Sequence, residues 1–254
     1  LAAPENFTTQ EPTMQPEEKI LPNGGAELLP QPAETESDTP YAPALYDADA
    51  EQIVPVTVED DGEEFELLLR TNPVSDHLVR LYAKARAAGE DDADGFAPKI
   101  AAAEKFFPQF VRGPEGVEGD VPADWAGIFG AQDMLAIVTT LLLCERVNTP
   151  VTKGKQLKEW RVSTTSKVRL RCYFNGGLAE TLHVFNKASA KPYADYARGA
   201  LGGADELEQL DALAEVYDKL HVSHEGYRGR VPIFHKAAAV RVHLERIVRV
   251  TRKN

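Results

Sequence analysis

From Ile53 to Arg70 the chain alternates. Ile53, Val54, Val56 and Val58 form one β-branched run, and Phe65, Leu67 and Leu69 stand between charged neighbours in a second, with Asp60-Asp61-Gly62 between them. A period of two interrupted by a turn signal predicts a β-hairpin. Pro55 cannot donate to a ladder, so the first strand is expected at a sheet edge. The period then changes. Leu78, Leu81, Tyr82 and Ala85 fall at i, i+3, i+4 and i+7, which predicts a helix, with Asn72 as its cap and Pro73 at its first position. A second helix is expected from about Pro98 to Phe110, and a long third one from Pro122 to about Val147.

The same order returns. Val168, Leu170, Cys172 and Phe174 alternate, Asn175-Gly176-Gly177 signals a turn, and Leu178, Leu182 and Val184 alternate on the return. Ser189 opens a helical pattern carrying Tyr193, Tyr196, Ala197 and Ala200, and another runs from about Asp205 to His221. The octet Glu115-Gly116-Val117-Glu118-Gly119-Asp120-Val121-Pro122 recurs as Glu225-Gly226-Tyr227-Arg228-Gly229-Arg230-Val231-Pro232, both reading E-G-x-x-G-x-V-P. Phe107 and Phe110 then correspond to Tyr217 and Leu220, and Leu67 and Leu69 to Leu182 and Val184. A tandem duplication follows, and the expected fold class is α+β: two repeats of a hairpin with about three helices. The octet itself reads as a chain reversal between helices, since its glycines supply positive φ and Val-Pro starts a helix. A phosphate loop is excluded by the missing G-K-[ST].

Before the first hairpin, residues 1–52 keep neither period. Eight prolines from Pro4 to Pro43 and mostly acidic charges mark an extended arm, with Tyr41, Leu45 and Tyr46 as the anchors it would offer a partner. The expected organisation is an arm (1–52), repeat 1 (53–147), a linker (148–165) and repeat 2 (166–254).

Composition narrows the function. A net charge of −12 opposes wholesale binding to nucleic acid or an anionic membrane. No basic stretch followed by an apolar core marks a signal peptide, and no apolar run is long enough to cross a bilayer. The expected location is the cytoplasm of a bacterial host, or a virion. Cys144 and Cys172 lie in hydrophobic runs and read as buried thiols. His221, His224 and His235 are the candidate metal or acid–base residues, but their spacing is loose for zinc. His77, His183 and His243 stand alone and receive no role. No hydrolase, zincin or dinucleotide signature is present, and neither catalytic residues nor a cofactor is expected.

The C-terminal helix is distinct. Ile233, Ala237, Val240, Leu244 and Ile247 form an apolar seam, while Arg241, Arg246, Arg249 and Arg252 fall mainly on the other faces, where they could meet an acidic protein surface. The hairpin-to-helix steps Leu67-Leu68-Leu69-Arg70-Thr71-Asn72-Pro73 and His183-Val184-Phe185-Asn186-Lys187-Ala188-Ser189 resemble those of tailed-phage tail assembly chaperones. That resemblance implies a non-enzymatic phage virion or tail-assembly component whose partners are proteins, itself or other subunits, and it carries over no functional residues. A nucleic-acid-associated regulator using the basic helix, or a metal-dependent hydrolase around the three histidines, is the alternative expectation.

Overall fold

The computed structural model describes residues 44–60, 63–88, 96–116, 124–147, 163–187, 193, 195, 198 and 205–251. The arm before residue 44, most of the linker and most of the Ser189 helix therefore lie outside the described residues. In chain order the elements are β1 (Tyr46–Asp47), β2 (Ile53–Asp60), β3 (Glu63–Thr71), α1 (Asp76–Ala87), α2 (Ala97–Phe110), β4 (Val111–Pro114), a 3-10 turn (Trp125–Ile128), α3 (Ala131–Leu141) and β5 (Cys144–Arg146). They continue with β6 (Thr165–Phe174), β7 (Gly177–Asn186), α4 (Glu206–Leu220), β8 (His221–Glu225), β9 (Tyr227–Arg228) and α5 (Ile233–Thr251). The fold is α+β.

Both hairpins form where the alternation places them, and β2 with Pro55 is an edge strand of the sheet β2-β3-β4. The second turn closes on Asn175 and Gly176, with φ of 50° and 81°, the left-handed pair that a two-residue hairpin loop requires. In each repeat the last hairpin strand takes a further antiparallel partner, β4 on β3 and β8 on β7, and each pairing carries a register shift. The shifts fall between Arg70 and Thr71 and between Val184 and Phe185, 114 residues apart. This corrects the expected correspondence by one position. Leu69 matches His183, not Val184, and since a one-residue slip moves a side chain to the opposite face, the buried Leu69 and the buried His183 are the true pair.

Three local expectations change. Ser75, not Asn72, caps α1, its Oγ accepting from Leu78 N at 3.1 Å. Asn72 instead gives its Nδ2 hydrogen to the Gln109 carbonyl, 3.0 Å away. The predicted long helix to Val147 is a 3-10 turn, a shorter helix and a strand: Gly130 interrupts it, and α3 ends at Leu141 so that Cys144–Arg146 can pair with β6. Nor does the octet simply join two helices. The first copy starts directly after β4 and the second on the last residue of β8, and the first glycine of each turns the chain, at φ of 73° (Gly116) and 88° (Gly226). At Gly226 a Cβ would also lie 2.5 Å from the Glu180 carbonyl oxygen, so only glycine fits there.

Residues 42–254 form one compact unit, so the folded part starts ahead of the expected boundary at residue 52. A single core runs through both repeats, from Leu69, Phe107 and Phe110 to Leu213, Ile233 and Leu244. The seam of α5 is buried as its spacing predicts. Several links join the repeats, among them an Arg80–Asp211 ion pair of 2.7 Å between α1 and α4. Strand β5 leaves repeat 1 to become the edge of the repeat 2 sheet, ordered β5-β6-β7-β8. The β6–β7 turn meets the start of β2, Asn175 Oδ1 accepting from Ile53 N at 3.1 Å. Arg230 donates to Asp49 (3.0 Å), to Asp76 (2.6 Å) and to the Val74 carbonyl (2.9 Å), while Asp76 also accepts from Ile233 N at the start of α5.

Candidate functional site

The chemistry lies under the repeat 2 sheet. Cys144 on β5 is directly opposite Cys172 on β6. The flanking bond from Tyr173 N to the Leu143 carbonyl makes this a non-hydrogen-bonded pair, the arrangement that brings opposed side chains closest. The two Sγ atoms are 3.7 Å apart, and both cysteines are free thiols. His235, in the first turn of α5, completes a set whose ligand atoms all lie within 4.8 Å of one another.

A chain of rings extends from His235 through the core. The hydroxyl of Tyr227 lies 2.9 Å from His235 Nδ1 and 3.0 Å from His183 Nε2. His183 Nδ1 in turn meets the Tyr217 hydroxyl at 3.0 Å. Thr181 stands between the rings and the sulfurs, 3.3 Å from His183 Nε2 and 3.9 Å from Cys172 Sγ. Tyr46 covers the cluster, its ring centroid 4.2 Å from that of His235. The backbone holds it there, because Tyr46 N donates to the Gly226 carbonyl at 2.9 Å and β1 pairs in parallel with β9.

Burial sets the protonation states. It pushes His183 down to about 3, helped by His235, His224 and His221, so this imidazole is neutral. Burial likewise raises the phenols of Tyr46, Tyr217 and Tyr227. The two thiols divide. Cys172 is lowered by the hydrogen bond from Cys144 and, next, by His235 and Thr181, while burial raises Cys144. Cys172 is the thiolate side of the pair and Cys144 the donor.

The sequence-predicted candidates are distributed differently from expectation. Tyr46 is fully buried in this chain's own core, against Phe174, Tyr227 and His235, so it anchors the folded unit and offers no ring to a partner. Leu45 beside it is 47 % exposed. Arg241 is exposed, but Arg246 is partly turned inward, donating to the Lys167 carbonyl. Tyr41, the Arg249 side chain and Arg252 lie outside the described residues. His221, His224 and His235 do not gather into one site. His221 Nε2 and His224 Nδ1 meet at the sheet surface, 3.1 Å apart, while His235 faces the cysteines.

Sequence reasoning missed Cys144, Cys172, Thr181, His183 and Tyr227 as members of one cluster. The repeat held a usable signal. With the hairpins offset by 114 and the octets by 110, Cys172, Thr181, His183, Tyr217 and His235 occupy the positions of Val58, Leu67, Leu69, Phe107 and Trp125. Polar residues standing where the sister repeat is apolar mark the site. No protein-family model matches the chain, and no curated protein or solved structure matches it either.

Proposed function

We propose that the chain is a non-enzymatic protein–protein interaction protein, a virion or tail-assembly component of a bacteriophage, in which the segment before Ala42 and the outer edge of β8 contact neighbouring subunits. The observation that carries this reading is β8. It closes one side of a four-stranded antiparallel sheet, its residues from Val222 to Glu225 are exposed, and among the described residues no further strand pairs with it. An open strand edge is a template on which another chain can add. Val222, 55 % exposed, gives that edge an apolar side chain. The outer face of the same sheet carries Lys167, Arg169 and Arg171 beside Glu180 and Leu178, a mixed surface suited to a protein partner. The hairpin-to-helix steps that resemble tail assembly chaperones agree with it.

The test is sedimentation velocity of the full chain over a concentration series. Concentration-dependent assembly is expected, weakened both by Val222→Lys on the edge and by removal of residues 1–41. A chain that stays monomeric at every concentration, or an assembly indifferent to both changes, overturns the reading.

A further inference from the structure

We propose that Cys144, Cys172 and His235 form a zinc site that ties β5, β6 and α5 together beneath Tyr46. Two thiolates and an imidazole are a donor set that suits zinc. Zn–S bonds of about 2.3 Å in a tetrahedron separate the sulfurs by about 3.8 Å, and Cys144 and Cys172 already stand 3.7 Å apart. The donors come from three segments of the chain, so the site is a product of the fold.

Unpartnered atoms point to the same place. His235 has no solvent exposure, and its Nε2 lacks a hydrogen-bond partner. The hydroxyl of Tyr46, whose ring covers His235, is also buried without one. Leaving such atoms unsatisfied costs about 1–3 kcal/mol each, and a cation among the two sulfurs and Nε2 would remove that cost at His235.

The surrounding hydrogen bonds fix one consistent set of protons. A zinc-bound Nε2 leaves the proton of His235 on Nδ1, which donates to the Tyr227 oxygen at 2.9 Å. The Tyr227 hydroxyl then donates to His183 Nε2, and His183 donates from Nδ1 to Tyr217. Neutral His183 can accept in this way, and Thr181 is left to donate to the Cys172 thiolate. Metal-bound imidazoles commonly donate their second N–H to a neighbouring oxygen. On binding, Zn²⁺ accepts a lone pair from each sulfur, and the one proton that Cys144 shares with the Cys172 thiolate passes to solvent.

Repeat 1 makes the case sharper. It builds the same hairpin, second helix and third strand with Val58, Leu67, Leu69, Phe107 and Trp125 in the corresponding positions, so the fold does not itself require the polar set.

The experiment is elemental analysis of the full chain, purified under reducing conditions, then stripped with a chelator and reloaded with Zn²⁺ or Co²⁺. About one zinc per chain is expected, and cobalt should give a thiolate-to-metal charge-transfer band with the intense visible bands of a tetrahedral ion. Cys172→Ser and His235→Ala should weaken zinc binding at least about 100-fold, and Tyr227→Phe about 10-fold. His221→Ala with His224→Ala should leave it unchanged. If the single variants fail to fold, the cobalt spectrum of the wild-type chain still identifies the thiolates. No uptake by the reduced chain, a Cys144–Cys172 disulfide as the only chemistry, or zinc lost with the surface histidines but kept in Cys172→Ser would each overturn the proposal.

Discussion

Repeat 1 and repeat 2 share a backbone plan and differ in what they bury. Around β3, Leu69 is fully buried among apolar side chains such as Val54 and Phe110. Around β7, the matching His183 is as deeply buried, but in a line of hydroxyls and imidazoles. The first arrangement is stabilised by removing apolar area from water. The second survives only while each polar atom finds a partner, because an unpaired one forfeits its hydration. One plan therefore serves as a general frame in the first repeat and as the housing for a chemical cluster in the second.

The sharpest way to break that difference is to exchange the two residues. Leu69→His sets an imidazole into the apolar core cluster, and a loss of about 4 kcal/mol is expected, from lost burial plus the cost of burying the polar ring. His183→Leu should cost about half as much, by stranding the Tyr217 and Tyr227 hydroxyls. Urea unfolding at neutral pH measures both. Equal losses would mean that the buried hydrogen-bond chain contributes no specificity of its own.

Acid should also expose repeat 2. His243 is buried on α5, stacked on Phe185 at 4.7 Å and 3.0 Å from Ser166 Oγ, with Arg246 and Lys187 nearby. Burial first, and then those two cations, push it down to about 4. Its folded value lies below its unfolded one, so its contribution is complete above about pH 6.5 and is lost as the pH falls toward 4. That loss is about 3 kcal/mol. Asp133 takes the corresponding place in repeat 1. The stability gap between wild type and His243→Gln should shrink by that amount between pH 7 and pH 4, and a constant gap would refute the assignment.

The octet glycines allow a finer comparison. Gly116 and Gly226 share positive φ, but nothing lies within 4 Å of a Cβ built on Gly116, whereas one on Gly226 would strike the Glu180 backbone. Gly116→Ala should cost about 1 kcal/mol and Gly226→Ala about 3, separable by thermal unfolding.

How much of this was legible follows the range of each interaction. Local signals read well: the alternation of both hairpins, the Asn175-Gly176 turn, the edge position of β2 and the buried seam of α5 all depend on neighbours in sequence. The end of α3 at Leu141 did not, because the helix stops where β5 is drawn onto β6, a partner absent from local periodicity. Tyr46 was misread for a similar reason. Its flanking prolines and acids suggest a solvated arm, yet parallel pairing with β9 and packing against the His235 ring bury it. The cluster itself was hidden because Cys144, Cys172 and His235 meet only in three dimensions. A repeat alignment one residue out also concealed that His183 replaces Leu69.

The smallest expected difference concerns the glutamates that open the two octets. Glu115 receives two hydrogen bonds from Arg70, each 2.6 Å, whereas Glu225 stands exposed at the end of β8. The bond from Arg70 lowers the Glu115 pKa, so its contribution is present above the ordinary glutamate value and is lost as the pH falls through the folded one. Both partners are solvent-accessible, and salt screens such a pair. Glu115→Gln should therefore lower the melting temperature slightly at low salt and not at molar salt, while Glu225→Gln leaves it unchanged in both. A salt-insensitive loss at Glu115 would instead assign its effect to packing against β3. An equal loss at Glu225 would mean that the shared glutamate serves the turn itself, which both repeats make at the following glycine.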